Sequence, residues 1–271
     1  MSVRRSSPIA AIAMWVVLAA MGPPAYAEQV IADLTITSVR LTDRLVLRIE
    51  AAYVCPPGFA VAPSSLPRAY AGQQTDVYPS SQDKKFGEIV CDGAEHEVLV
   101  RFLKPRHPHG ARWEFDALTQ VRLTFQVQRD DPYLAVGASD TQMVTTPTGP
   151  SGSAQVAADI TVRRLAFSHR HVIRVRATYV CPRGFGVDPA LPAHAFLQQE
   201  IDGRPLSRKT FEGIECDGTR RDLLVRFPRP RQPEDARWEP GALTRVSIGF
   251  QAHREDPYLF VLAADSQVAR V

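Results

Sequence analysis

Four cysteines are the residues of this chain with the most readily named chemistry, since a thiol can act as a nucleophile, hold a metal ion or form a disulfide. The first lies in AYVCPPGFAV, residues 52–61, and a close copy of that stretch, TYVCPRGFGV, occupies residues 178–187. The other two each precede Asp-Gly, in VCDG and ECDG. Each copy of the sequence therefore carries two cysteines at matching places.

The spacing of the cysteines separates the three chemistries. A dithiol redox site usually has two cysteines separated by two residues, and glycine, Gly58 or Gly184, stands at that position here. A zinc site needs about four cysteine or histidine ligands, and no histidine lies near the cysteines in both copies. We therefore predict structural disulfides, with Pro-x-Gly-Phe forming a turn. Each pairs the two cysteines of one copy: Cys55–Cys91 and Cys181–Cys216.

Two histidine pairs could bind copper or zinc through alternate side chains of one strand, namely His107 with His109 and His169 with His171. The pairs do not occupy equivalent places in the two copies. Each also offers only two of the three or more protein ligands that exported metal sites usually need. We interpret these residues as surface or turn histidines and predict no metal site.

Two acidic stretches, DDPY at 130–133 and EDPY at 255–258, could offer carboxylate oxygens to calcium. Two adjacent carboxylates fall short of the six to eight oxygens that calcium takes. An acidic residue before proline also starts a tight turn. We therefore predict that each stretch is a hairpin turn between the last two strands of its copy.

The sequence contains no nucleophile-elbow, zinc-protease or phosphate-binding motif, and no set of serine, histidine and acid recurs between the copies. Since these motifs are the usual sequence signs of catalysis, we predict no catalytic residues and no cofactor.

Arg-Trp-Glu, at 112–114 and 237–239, is the most distinctive polar and aromatic feature that the copies share. Trp113 and Trp238 could be exposed platforms that stack on a carbohydrate or anchor an interface. They could equally fill the core, because a buried tryptophan removes a large apolar area from water. We favour the core and keep ligand contact as the alternative, which the exposure of the two rings decides.

These motifs recur because the chain contains two copies of one domain-sized sequence. LVRF and ARWE each occur twice, 125 residues apart. A repeat of about 115 residues has the size of a domain and not of a solenoid unit. We predict domains over residues 28–145 and 156–271, joined over residues 146–155 by a flexible linker rich in glycine, proline and serine.

Apolar and polar residues alternate in each copy, which is the pattern of half-buried strands. Before the first cysteine, the apolar set is Leu47, Ile49, Ala51 and Tyr53. About seven such strands fit in each copy, and the 22 prolines work against long helices. The pattern predicts an all-β fold: two tandem immunoglobulin-like antiparallel β-sandwich domains, each with one internal disulfide, after an N-terminal signal peptide.

The N-terminus has the three parts of a secretory signal peptide: Arg4 and Arg5, an apolar run at 9–21, and Ala-Tyr-Ala at 25–27. We predict a signal peptide over residues 1–27. An uncleaved anchor is the alternative, although a membrane span usually needs about 18 apolar residues or more. We therefore expect an exported bacterial protein, secreted or in the cell envelope, with no stable membrane insertion after cleavage.

The charge of the chain limits its partners. It has 32 basic and 29 acidic residues, too small an excess for a general nucleic-acid or membrane-surface binder. Positive charge concentrates in the second copy, where we identify candidate ligand contacts on neighbouring predicted strands: Arg163, Arg164, Arg174 and Arg176. They could form an ordinary solvated face, or they could meet the acidic first copy or an anionic envelope polymer.

These patterns together predict an exported, non-catalytic binding protein whose ligand is a protein or a cell-envelope polymer. Two alternatives stay open at this point. One is a secreted enzyme or enzyme inhibitor with its site in the loops, and the other is a structural component of the envelope.

Overall fold

The structure, a computed structural model, describes residues 32–271 except 64, 75–79, 107–108, 131–132, 147–154, 169–170, 202–203 and 256–257. The predicted signal peptide lies outside the described residues, and so does the predicted linker apart from Thr146 and Gln155. The described chain is all β-structure, with sixteen strands and no helix. Accordingly, no helix long and apolar enough to cross a membrane occurs in that part of the chain.

Each strand of the first copy has a counterpart in the second. The first copy contains β1 (Asp33–Leu41), β2 (Leu47–Val54), β3 (Ala60–Val61), β4 (Arg68–Gln74), β5 (Ser80–Lys85), β6 (Glu95–Phe102), β7 (Leu118–Asp130) and β8 (Tyr133–Thr145). The second contains β9 (Gln155–Ser168), β10 (Val172–Val180), β11 (Gly186–Val187), β12 (His194–Gln199), β13 (Leu206–Thr210), β14 (Arg220–Phe227), β15 (Leu243–Glu255) and β16 (Tyr258–Arg270).

Each copy packs a small antiparallel sheet against part of a larger one. The small sheets are β1-β2-β6 and β9-β10-β14. The facing strands run in the order β5-β4-β7-β8 in the first copy and β13-β12-β15-β16 in the second. Aromatic side chains meet between the layers, where Tyr53 packs edge-on against Phe125 and Tyr179 against Phe250. The all-β, sandwich-like architecture is thus confirmed.

The alternation predicted before the first cysteine is confirmed in β2, where buried and half-buried residues alternate along the whole strand. Leu47, Ile49, Ala51 and Tyr53 are all at most 4% exposed. Because neighbouring side chains of a strand point to opposite faces, this apolar set faces the core and the polar set faces outward.

The two copies are joined by strand pairing between their last strands. β8 and β16 run antiparallel, and Ser139, Asp140 and Thr141 lie opposite Ser266, Asp265 and Ala264. The larger sheet therefore passes without a break from the first copy into the second.

The beginning of each copy also pairs with the other copy. β9 starts against β8, with Ala158 opposite Met143, before it continues along β10. In the same way, Ala32 pairs with Val268 of β16. Val268 packs in the core of the first copy and Met143 in that of the second. The two copies therefore share core residues as well as a sheet.

Candidate anion-binding face

Both predicted disulfides are confirmed. Cys55 and Cys91 are bonded with their Cα atoms 4.5 Å apart, and Cys181 and Cys216 with theirs 4.4 Å apart. All four cysteines lie in the described chain, in which no cysteine is free. Two disulfides within one chain are typical of an oxidising, extracytoplasmic environment. The cysteine motif therefore serves the fold and offers no reactive thiol.

The predicted turn after the first cysteine requires its glycine. Gly58 and Gly184 have φ values of 76° and 82°, in the region that side chains with a Cβ rarely adopt. The phenylalanine that follows in the first copy, Phe59, is buried. The guanidinium of Arg129 lies over its ring, 5.3 Å from the ring centre. The turn thus fixes a core aromatic beside the disulfide.

The two tryptophans are core residues. Trp113 and Trp238 are 0% and 1% exposed. Each indole Nε1–H donates a hydrogen bond of 3.1 Å to a backbone carbonyl, that of Phe102 or of Phe227. Neither ring has a face open to a carbohydrate or a partner, so the alternative of ligand contact by these side chains is abandoned.

The histidine pairs and acidic stretches are described only in part. His107 and His169 lie outside the described residues, and His109 and His171 are exposed. DDPY and EDPY stand where β7 turns into β8 and β15 into β16, although residues 131–132 and 256–257 are not described. Among the described residues, no group of three or more histidine, cysteine or acidic side chains could hold a metal ion.

The four predicted arginines are exposed and lie on the small sheet of the second copy. Arg176 of β10 stands directly opposite Arg164 of β9, and Arg174 stands opposite Arg226 of β14. Arg163 occupies the place where the pairing of β9 with β10 shifts register. Since alternate residues of paired strands share a face, these residues form one outward surface. We call these five residues the arginine face.

Arg226 was not among the predicted contacts. The alternation within LVRF places its arginine on the polar side of the strand, so a signal for exposure was present in the sequence. Its position opposite Arg174 depends on which strands become neighbours, and that pairing joins segments about 50 residues apart.

The arginine face carries an excess of positive charge. Like charges directly opposite each other destabilise an antiparallel pair, and the face has two such pairs. None of its five arginines makes an ion pair with any described residue. Of the nearby acids, Asp159 is buried, lies 3.6 Å from Arg220 and also interacts electrostatically with Arg163. Asp222 is exposed.

The equivalent surface of the first copy has a balanced charge. Its three arginines accompany four acids: Arg40, Arg48 and Arg101 with Asp33, Glu50, Glu95 and Glu97. Arg40 and Glu50 form an ion pair. The residue of the second copy that is equivalent to Glu50 is Arg176. The charge difference between the copies is therefore concentrated on this surface.

The acidic first copy does not cover the arginine face, because all five arginines remain exposed. Among the five, Arg163 interacts electrostatically with the first copy. Burial raises the pKa of Asp33, and the positive charge of Arg163 opposes that rise. The face is thus open to a partner outside the chain.

A buried acidic pair that no sequence motif predicted lies where the copies join. Asp140 and Asp265 stand opposite each other and are 2% and 3% exposed. Oδ2 of Asp140 accepts the backbone N–H of Ile36 at 2.7 Å, and Oδ2 of Asp265 accepts that of Val162 at 2.6 Å. The Asp-x-Gln shared by ASDTQ and AADSQ, in a strand that is otherwise largely apolar, was the available signal.

Burial is the main cause of the raised pKa values of the two aspartates. It raises the pKa of Asp140 to about 7 and that of Asp265 well above its usual value. Oδ1 of each residue is buried without a hydrogen-bond partner in the described chain. Burial also raises the pKa of Asp33 and of Asp159. The pair therefore retains protons at pH values where exposed aspartates are ionised.

No model of a known protein family matches the chain, and no curated protein matches it with significant similarity.

Proposed function

We propose that the protein is an exported, non-catalytic binding protein of two immunoglobulin-like domains, whose arginine face holds an anionic polymer of the cell envelope. Export rests on the signal-peptide pattern over residues 1–27 and on the two disulfides, which persist in oxidising compartments. The immunoglobulin-like assignment rests on the number of strands per copy and on their arrangement in two packed antiparallel layers.

The observation that carries the proposal is that Arg164 faces Arg176 and Arg174 faces Arg226 on an open surface with few acids. The first copy also has facing arginines, Arg40, Arg48 and Arg101, but four acids accompany them there. A protein gains no stability from such pairs, whereas an anionic ligand placed between them relieves their repulsion. Guanidinium groups also bind carboxylate and phosphate oxygens through two parallel hydrogen bonds. The surface thus has the chemistry and the access that an anionic ligand needs.

Retention on isolated cell envelopes tests the proposal. A variant with Arg163, Arg164, Arg174 and Arg176 all changed to Gln is compared with the unchanged protein at low and at raised salt. We expect the unchanged protein to be retained at low salt and released by salt, because screening weakens exposed charges. We expect the variant to be released at both. Equal retention of the two proteins would overturn the proposal.

The chain supplies a matched control. Arg174→Gln with Arg226→Gln removes one cross-strand pair from the second copy, and Arg48→Gln with Arg101→Gln removes the equivalent pair from the first. Both double variants lose the same charge from the same place in the fold. The proposal requires the first variant to lose retention and the second to keep it.

A structural envelope component is the second candidate, and the buried tryptophans favour it, because they leave neither copy an aromatic binding platform. This candidate requires that the arginine variants stay in the envelope and that deletion of the protein weakens it. The non-catalytic assignment has a test of its own. Hydrolysis of a generic substrate that persists after the protein is purified would contradict it.

A further inference from the structure

A groove of about 670 Å³ lies beside the arginine face, between β13 and the loop that follows β14. Its lining includes three buried residues, Ser207, Phe227 and Pro230. Its exposed cations are Lys209, Arg226, Arg229 and Arg231, and its exposed acids are Glu234 and Asp235. The groove is therefore predominantly cationic over a partly apolar floor.

Arg226 belongs to both surfaces, since it stands opposite Arg174 on the sheet and also lines the groove. Strands in a sheet lie about 4.8 Å apart, and alternate residues of one strand are about 7 Å apart. The residues of the arginine face are therefore spaced at about these distances across and along the strands. The groove lies directly beyond β14, the edge strand of this sheet. A ligand that crosses the arginine face along one row reaches the groove at Arg226.

Hydrogen bonds to backbone carbonyls hold the groove in shape. The N–H of Arg231 donates to the carbonyl of Leu206 at 2.8 Å, which fixes the loop to β13. Pro230 restricts the residue before it, Arg229, to extended conformations. Lys209 Nζ donates to the carbonyl of Arg226 at 3.3 Å and so joins the edges of the two sheets. A preorganised loop loses less entropy when its side chains bind a ligand.

The first copy repeats these cations. Lys84, Arg101, Lys104 and Arg106 stand at the places of Lys209, Arg226, Arg229 and Arg231. The same two backbone-fixing contacts also occur there, from Lys84 Nζ to the carbonyl of Arg101 and from the N–H of Arg106 to the carbonyl of Ser81. The adjacent sheet surface is charge-balanced in that copy, so only the second copy combines groove and arginine face.

We propose that the groove is a terminal subsite for a linear polyanion that lies across the arginine face, with one phosphate or carboxylate group seated between Arg229, Arg231 and Lys209. This inference rests on the proposed function and specifies the shape of the ligand. Partner-protein interfaces usually centre on apolar and aromatic residues. Leu224, opposite Arg176, is a large exposed apolar residue, and Phe227 in the groove is buried. Because little apolar surface is exposed here, the arginine face and the groove favour a flexible charged chain.

The test measures the binding of labelled linear inorganic polyphosphate to the full protein by fluorescence anisotropy. The groove variant carries Arg229→Gln and Arg231→Gln, and its matched control in the first copy carries Lys104→Gln and Arg106→Gln. We expect the groove variant to bind about tenfold more weakly, the order of effect that the loss of one or two charge-assisted hydrogen bonds gives. We expect the control to bind as the unchanged protein does.

Further arms separate the ligand sources and the two proposals. If linear polyglutamate competes as well as unlabelled polyphosphate does, the subsite prefers anionic groups in a chain, whether carboxylate or phosphate. If only polyphosphate competes, the subsite is assigned to phosphate. If inorganic phosphate competes as well as either chain does, the assignment of the groove as a terminal subsite is overturned. It is also overturned if a folded acidic protein binds more tightly than the linear chains do.

If the groove variant binds normally while an Arg164→Gln, Arg176→Gln variant, which leaves the groove lining unchanged, does not, the inference fails and the proposed function survives. If no polyanion binds the unchanged protein, both fail.

Discussion

Asp140 and Asp265 occupy equivalent positions in the two copies and stand directly opposite each other where β8 pairs with β16. Each carboxyl accepts a backbone N–H from the first strand of its own copy, at Ile36 or at Val162. Gln142 and Gln267 then donate to the carbonyls of the same two residues. A polar cluster with two-fold repetition therefore joins the copies through an otherwise apolar interior.

The buried pair predicts that the protein is more stable in mild acid. Both pKa values are raised, so the folded protein keeps protons that the unfolded chain releases, and the free energy of unfolding falls as pH rises. The contribution of Asp140 is complete below the ordinary value of 3.8 and is lost as pH rises through about 7. Urea unfolding at pH 5 and at pH 8 measures this, with the higher midpoint expected at pH 5. A midpoint that rises with pH would contradict it.

Asp140→Asn is expected to flatten this pH dependence. Asparagine keeps a side-chain oxygen that can accept the N–H of Ile36 but cannot ionise, so the midpoint at pH 8 rises toward that at pH 5. Asp265→Asn should act in the same direction, and the exposed Asp222→Asn is the control that should change neither. Asp140→Leu should instead destabilise the protein by about 1–3 kcal/mol, because a buried N–H loses its acceptor.

Trp113→Phe and Trp238→Phe should each destabilise the protein by about 1–3 kcal/mol, since each removes the N–H that satisfies a buried carbonyl. The carbonyls concerned are those of Phe102 and Phe227. Denaturant unfolding followed by circular dichroism measures the loss. Similar losses in the two variants are expected because the contacts repeat. A change within about 0.5 kcal/mol, typical of surface substitutions, would show that the hydrogen bond contributes little.

The shared sheet predicts that the copies unfold together. The chain has three tryptophans, and Trp15 lies in the predicted signal peptide, so mature Trp113→Phe protein reports only the second copy by fluorescence. Removing the first-copy disulfide with Cys55→Ala and Cys91→Ala in this background should destabilise by about 2–5 kcal/mol. We expect the fluorescence transition of Trp238 to shift with it.

The reciprocal background provides the control for this coupling. Trp238→Phe with Cys181→Ala and Cys216→Ala leaves Trp113 as the reporter, and its transition should shift equally. If Trp238 fluorescence keeps its original midpoint after the first-copy disulfide is removed, the copies unfold independently and the pairing of β8 with β16 does not couple them.

Features that depend on a few neighbouring residues could be predicted from the sequence. The apolar alternation of β2 and the glycine of each turn follow from local backbone geometry. The disulfide pairing follows from the repeat, because two copies of one domain form the same bond twice. The exposure of the four predicted arginines follows from the charge that burial would leave unpaired.

Features that depend on which strands meet could not be predicted in this way. The sequence suggested two separate units with a linker between them, and the structure places a continuous sheet across both. Asp140 lies 125 residues from Asp265 in the chain, and only the pairing of edge strands brings them together. The same holds for Arg226, whose neighbour Arg174 belongs to another strand.

The amino-acid sequence by itself determined the β-structure, the duplication, the two disulfides and the arginines that remain in water, because each follows from local periodicity or from the identity of the copies. Only the tertiary structure decided that the copies share one sheet, that two aspartates are buried at their junction, and that the arginines stand opposite one another beside a groove. These relations depend on register between distant strands, which the packing of the whole chain selects.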